Sequence, residues 1–317
     1  MSIIESSDLT KYFGDLTAVD HINLSINDKE IFGLVGPDGA GKTTTIRLLA
    51  TILNISAGTA TIDGYDVQKE PSSVRKLIGY MSQRFTLYAD LTVKENLHFF
   101  ARLHQVPKDQ RETRTNELLD FSRLRGFEQR QAGRLSGGMQ QKLALACTLI
   151  HQPKVLFLDE PTTGVDPVSR REFWRILTQL NQQGATLLVS TPYMDEAERC
   201  TRIAFMDNGR ITACDTPLNI KNNIGGRLLE LDVNNPRAAL AILKTASELK
   251  SAYVFGELLQ IAVDKKEFSI RLIRRLMADN HIVINSIKEI PMSMENAFLS
   301  LAGAKEDKGV SRGSANV

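Results

Sequence analysis

The chain has 317 residues, more than the roughly 100–200 of an average domain, so it calls for a core domain with a smaller appendage. Lys and Arg total 39 against 37 Asp and Glu, a formal net charge of +2, which excludes a general electrostatic field for capturing nucleic acid or an anionic bilayer surface. The 3 cysteines, Cys147, Cys200 and Cys214, lack paired metal spacing and are odd in number, so reduced thiols in a cytosolic setting are expected.

In chain order, Ile3 to Leu9, Ile22 to Ile26 and Ile31 to Val35 read as short strands separated by polar turns. Apolar residues then recur at helical spacing in Thr43 to Leu53, Val93 to Leu103 and Met139 to Ile150. Val155 to Leu158 and Thr186 to Val189 are short and wholly apolar, as in buried parallel strands, and Arg202 to Met206 and Arg210 to Ala213 follow as strand-like pieces. Alternating strand and helix imply an α/β domain with a mostly parallel sheet. The Asn- and Gly-rich stretch Lys221 to Gly226 marks a boundary. Beyond it the pattern is β (Leu228 to Val233), α (Pro236 to Leu249), β (Ala252 to Phe255), β (Leu258 to Val263), α (Glu267 to Asp279), β (Val283 to Ile287), a ferredoxin-like order. The expected division is 1–221 for the core domain, with a helical part at about 84–152, then 227–302 for a small α+β domain and 303–317 for a disordered tail. No apolar run reaches the ~18 residues needed to cross a bilayer, and the polar start lacks the layout of a secretory signal. A soluble chain is expected, and any spanning helices must come from another polypeptide.

Two motifs carry chemistry. Gly36-Pro37-Asp38-Gly39-Ala40-Gly41-Lys42-Thr43 fits G-x-x-x-x-G-K-[ST] directly after an apolar strand and at the start of a helix that continues through Thr44. Its glycines let backbone N–H groups curl around phosphate oxygens, Lys42 reaches β/γ-phosphates and the Thr43 hydroxyl can ligate Mg²⁺. Val155-Leu156-Phe157-Leu158-Asp159-Glu160 is an apolar strand ending in two acids at the carboxyl edge of a parallel sheet. Asp159 is placed to hold Mg²⁺ through water and Glu160 to polarise an attacking water.

Between these motifs, Leu135-Ser136-Gly137-Gly138-Met139-Gln140-Gln141 resembles the signature of the ATP-binding cassette (ABC) family. The resemblance implies that Ser136, Gly137, Gly138, Met139 and Gln140 of one subunit close over nucleotide held by another. It also implies roles for Gln83 as the Mg²⁺ and γ-phosphate sensor that faces a transmembrane partner, for Asp166 in Gly164-Val165-Asp166-Pro167 as a contact to the opposite subunit, and for Phe13 as the adenine-stacking aromatic, with Tyr12 as the fallback. Their plain structural alternatives are an exposed polar residue, a helix N-cap and a core side chain, respectively.

The pattern breaks at Ser190-Thr191-Pro192-Tyr193-Met194-Asp195-Glu196-Ala197, where the family has a histidine in place of Pro192. Proline cannot make the γ-phosphate hydrogen bond of that histidine. The chain's own site is therefore expected to bind ATP and hydrolyse it slowly, and the expected assembly is a homodimer or, in preference, an asymmetric pairing with a second ATP-binding half. Lys94-Glu95-Asn96-Leu97 and Pro291-Met292-Ser293-Met294-Glu295-Asn296-Ala297-Phe298 resemble the bacterial drug-export branch, of the daunorubicin-resistance type. The resemblance implies an ATPase with ATP and Mg²⁺ as cofactors, docked through integral membrane permease subunits on the cytoplasmic face of the membrane, with no nucleic-acid partner. The fold implied is α/β, a P-loop NTPase core with an antiparallel β subdomain and a helical subdomain, plus a small C-terminal α+β (ferredoxin-like) domain. The alternatives are a non-transport ABC ATPase of translation or repair type and a regulatory ATP-binding subunit.

Overall fold

The computed structural model describes residues 1–84, 86–223, 227–246, 249, 251–263 and 266–298. The tail expected over 303–317 lies outside them. The chain forms two compact units that divide between Cys214 and Asp215, ahead of the Asn- and Gly-rich stretch expected to separate them.

In the first unit, β1 (Ser2–Phe13) and β2 (Leu16–Asn27) form an antiparallel hairpin, and β3 (Ile31–Val35) runs through the glycine-rich loop into α1 (Lys42–Leu49). The hairpin is longer than its apolar residues suggest. Cross-strand pairing from Ser2 with Asn27 to Phe13 with Leu16 satisfies the backbone whatever side chains it carries. Helix α1 ends before Leu53 because Thr51 takes a left-handed conformation (φ 58°). Next come β4 (Ala57–Ile62), β5 (Tyr65–Asp66), α2 (Pro71–Leu77) and β6 (Ile78–Met81), followed by the helical stretch α3 (Val93–Leu103), α4 (Lys108–Phe121) and α5 (Gly137–Leu149). The unit closes with β7 (Val155–Asp159), α6 (Pro167–Gln182), β8 (Thr186–Thr191), the single-turn α7 (Met194–Ala197) and the hairpin β9 (Arg202–Asp207) and β10 (Arg210–Asp215).

These strands make two sheets, an antiparallel one in the order β2-β1-β4-β5 and a six-stranded one in the order β10-β9-β3-β8-β7-β6. In the larger sheet β3 pairs in parallel with β8 and β9, and β7 in parallel with β6 and β8. Every residue of β3, β7 and β8 is buried, which explains their unbroken apolar runs. One apolar cluster joins the two sheets through Ile4, Leu9 and Ile62 on one side and Phe32, Phe157 and Leu188 on the other, with Ile46 and Leu48 of α1 between them in sequence. The helical stretch has its own small core, including Val93, Leu97, Leu119, Leu143 and Ala146.

In the second unit, α8 (Pro217–Asn223) precedes β11 (Arg227–Val233), α9 (Pro236–Leu243), β12 (Ser251–Phe255), β13 (Leu258–Val263), α10 (Lys266–Asp279) and β14 (Ile284–Ile290). The sheet order β12-β13-β11-β14, antiparallel throughout, is the ferredoxin-like arrangement. Helix α9 stops at Leu243, short of the expected Leu249, in a turn where the Thr245 hydroxyl donates to Ile242 O. Leu229, Leu231, Leu259 and Ile261 of the sheet pack with Leu243, Ile273 and Met277 of the helices. A closing helix, described over 294–298, buries Met294 and Ala297, and the buried Asn296 amide donates to Gln260 Oε1 at 2.6 Å. Among the described residues no helix is long and apolar enough to cross a membrane.

Candidate nucleotide site

The parallel sheet delivers β3 and β7 side by side with β8, so the glycine-rich loop and the two acids meet at one edge. There a cleft of about 620 Å³ is lined by Phe13, by Asp38 through Thr44, and by Gln83, Glu160, Pro192 and Tyr193, among others. Gly36 and Pro37, expected in the site, are not among its lining residues, and their carbonyls accept from Lys42 Nζ at 2.8 and 2.9 Å. The loop depends on two glycines in particular. A Cβ on Gly41 (φ 101°) would stand 2.4 Å from Ala18 O, and one on Gly36 would stand 2.1 Å from Met206 O.

The polar side chains interlock. Lys42 Nζ lies 3.3 Å from Glu160 Oε1, and both side chains are buried. Glu160 Oε2 accepts from Gln83 Nε2 at 2.8 Å and from Thr163 Oγ1 at 3.2 Å. Glu160 itself sits in the left-handed region (φ 46°), a conformation that costs about 1–3 kcal/mol and persists only where surrounding contacts offset it. The offsetting contact comes from Ser190. Its hydroxyl accepts from Glu160 N at 2.9 Å and donates to Asp159 Oδ1 at 2.8 Å. Thr43 Oγ1 donates to the same Asp159 oxygen at 2.9 Å.

Asp159 Oδ2 is buried and has no hydrogen-bond partner. An orphaned carboxylate oxygen beside the Thr43 hydroxyl fits a cation held directly by the threonine and through water by the acid. Phe13, rather than its equally exposed neighbour Tyr12, lines the cleft. No histidine lines it, and His151 packs instead against His104, with ring centroids 3.9 Å apart. Pro192 occupies the cleft wall at the end of β8.

Ser136 to Gln140 and Asp166 are not part of this cleft. Ser136 caps α5 and accepts from Met139 N at 3.4 Å, and Gln140 Nε2 donates to Ala132 O. Ser136 and Gly137 face solvent, whereas Gly138 is buried against Ser169 of α6. Asp166 is the N-cap of α6 and accepts from Val168 N and Ser169 N, both at 3.0 Å. The Ser169 hydroxyl and backbone N–H hold its carboxyl below the usual range. Asp166 is also exposed, so capping leaves it available at the surface.

Sequence reasoning assigned nothing to Thr163, Ser190, Arg170 or Glu196. Buried Glu196 accepts from Thr162 Oγ1 (2.5 Å), Thr191 Oγ1 (2.7 Å) and Arg170 Nε (3.2 Å), while the Arg170 guanidinium lies 4.1 Å over the Tyr193 ring. This network ties α6 to the segment that follows β8. Its partners are far apart in sequence, and the only hint was the acidic run after Tyr193.

The profile of the ABC transporter family matches residues 19–163, which contain the glycine-rich loop, the signature and both acids. Over 309 residues the chain is 34% identical to the daunorubicin resistance ATP-binding protein DrrA2 of Streptomyces coeruleorubidus, covering 96% of each. The chain belongs to the ABC transporter family. It is one of that family's ATPase cassettes, built on a P-loop NTPase core. It is also 41% identical over 220 residues to the probable multidrug ABC transporter ATP-binding protein YbhF of Escherichia coli K12, covering 69% of this chain but 38% of that protein. Among solved structures, cbiO1 of Clostridium perfringens superposes with a TM-score of 0.65 at 26% identity, covering 69% of this chain and 90% of that one. The cassette MJ0796, seen as a post-hydrolysis dimer with ADP and Pi, superposes with a TM-score of 0.62 at 26% identity, covering 67% of this chain and 98% of that one.

Proposed function

We propose that this cassette binds ATP on Gly36–Thr44, stacks adenine on Phe13, and closes with a second ATP-binding half whose signature completes the site, so driving an export permease for drugs or other hydrophobic compounds. The observation that carries this reading is the convergence of Lys42, Gln83, Thr43 and Asp159 on the Glu160 end of β7. Lys42 and the loop N–H groups bind and orient the β/γ-phosphates. Glu160, kept in place by Gln83 and Thr163, accepts a proton from the attacking water. Bound Mg²⁺ supplies charge neutralisation at the phosphate oxygens, and Thr43 and Asp159 are the residues that would hold it. Ser136 to Gln140 and Asp166, being outside the cleft of their own chain, act on the partner's nucleotide and at the dimer contact.

Export is supported by relatives that are named as resistance or export proteins, including DrrA2 and the Nod factor export ATP-binding protein I of Neorhizobium galegae (34% identical over 315 residues). Their names give no support to a translation or repair ATPase. A membrane partner is supported by exposed apolar side chains, including Tyr88 (49% exposed), five residues after Gln83 and edge-on to Phe99 at 4.7 Å.

Pro192 in the cleft wall supports slow turnover at this chain's own site and asymmetric pairing. Steady-state ATP hydrolysis by the purified chain beside Pro192→His, with nucleotide binding measured in both, tests this. The expected result is tight binding with feeble turnover in wild type and at least tenfold faster turnover in the variant, about 1.4 kcal/mol of barrier. Fast wild-type hydrolysis that Glu160→Gln abolishes would refute the impaired-site reading while leaving the ATPase intact.

A further inference from the structure

We propose that Tyr80 is a positioning residue for the cation side of the nucleotide cleft: its hydroxyl donates to Asp159 Oδ2 and so fixes how that carboxylate faces the Mg²⁺ held by Thr43. The inference deepens the MgATP reading and rests on it.

Strand pairing brings the two residues together. β6 pairs in parallel with β7, Tyr80 opposite Phe157 and Met81 opposite Leu158. Paired residues share a face of the sheet and alternate residues along a strand return to it, so Tyr80, Phe157 and Asp159 project from one face, with Asp159 a single pleat beyond the pair. That face lies under α1. Phe157 and Tyr80 pack in the cluster that holds Ile46 and Leu48, and Asp159 accepts from Thr43. Gly79 faces the other way, where a Cβ would stand 2.6 Å from Cγ2 of Thr148 in α5. The charged groups beside the Tyr80 hydroxyl are the Arg47 guanidinium and the Asp159 carboxylate.

Two oxygens on that face are without partners. Asp159 is fully buried, and its Oδ1 takes both available donors, Ser190 and Thr43, leaving Oδ2 with none. Tyr80 is half-buried overall, yet its hydroxyl oxygen is buried and likewise unpartnered. A buried acceptor and a buried donor with no other claim on them are a matched pair. An ionised carboxylate oxygen has two acceptor positions, so Oδ2 can take the phenol and a cation-bound water together. Burial above all raises the phenol pKa, with Arg47 opposing and the Asp159 charge adding to the rise, so the hydroxyl keeps its proton and can donate. Donors on Oδ1 alone leave the carboxylate free to swing, whereas a donor on Oδ2 holds its second edge. The two oxygens are not bonded in this structure, and the bond is the change expected on MgATP binding, when hydrogen bonds of such sites tighten.

Tyr80→Phe removes the hydroxyl and keeps the ring. The affinity of the full chain for a fluorescent ATP analogue is measured in saturating Mg²⁺ and in EDTA, for wild type and variant, with melting temperatures alongside. The variant should match wild type in EDTA and bind about tenfold more weakly in Mg²⁺, the usual scale for losing a group that orients a metal's ligand. Its melting temperature should stay at the wild-type value, because the hydroxyl removed has no partner. A lower melting temperature does not blur the result, since a general loss shows in EDTA as well. A tyrosine that merely packs would leave both affinities unchanged or shift them together, and either result overturns the proposal. If wild type binds the analogue equally with and without Mg²⁺, the cation reading of Thr43 and Asp159 falls and this inference with it. A Mg²⁺ advantage that wild type shows and Tyr80→Phe keeps in full overturns this inference alone.

Discussion

Adding one methyl group to each of the two signature glycines should have opposite effects on the fold. A Cβ on Gly138 would stand 2.6 Å from both Cβ and Oγ of Ser169, whereas one on Gly137 would have nothing within 4 Å. Overpacking of the Gly138 kind costs about 1–3 kcal/mol, offset by up to about 1 kcal/mol from replacing a helical glycine with alanine. The net loss for Gly138→Ala is about 1–2 kcal/mol, and for a unit of this size it lowers the melting temperature by about 2–8 °C. Gly137→Ala gains the helix term without the clash and should melt at or slightly above the wild-type temperature. Differential scanning calorimetry of both variants provides the measurement, and Ser169→Gly combined with Gly138→Ala should recover at least about 1 kcal/mol as a coupling energy, since it removes both clashing atoms. Gly137 faces solvent beside the Ser136 cap, so Gly137→Ala should instead weaken ATP-dependent dimerisation in a Glu160→Gln background. Equal melting temperatures for the two alanine variants would show that the packing of α5 on α6 is not what the Gly138 geometry implies.

Glu196→Ala leaves the Thr162 and Thr191 hydroxyls without their buried acceptor, while Arg170 keeps Asp195, and should cost about 1–3 kcal/mol, read from chemical denaturation; no measurable loss would mean the network is dispensable. His104 is exposed overall, but desolvation of the ring face stacked on His151, and after it the charge of His151, lowers its pKa to about 4, so the fold favours the neutral ring, by an amount that solvent screening reduces. Stability from this group is complete above pH about 6.5 and declines as pH falls from there towards 4; His104→Gln should flatten the melting-temperature profile over that window, and an unchanged profile would refute the assignment. In the second unit, Asn296→Ala leaves the buried Gln260 carbonyl without its donor and should cost about 1–3 kcal/mol, checked by urea denaturation with the first unit's transition as internal reference.

The sequence by itself determined the two motifs that make up the candidate nucleotide site. Gly36–Thr43 and Val155–Glu160 are contiguous, so one strand-to-loop step places each set of groups, and local spacing suffices to read them. It also determined the alternation of strands and helices and the βαββαβ order of the second unit, because buried strands and amphipathic helices carry distinct periodicities. The absence of a histidine at Pro192 was legible for the same reason. Tertiary structure alone decided how the acids are held. Ser190 and Thr163 reach Asp159 and Glu160 through side-chain bonds whose geometry depends on β7 lying beside β8, and no local pattern encodes which strands are neighbours. Likewise, Arg170, Tyr193 and Glu196 became one network only when α6 packed beside the end of β8. Contiguous motifs are written in the chain, whereas contacts between distant residues are fixed by strand order and packing.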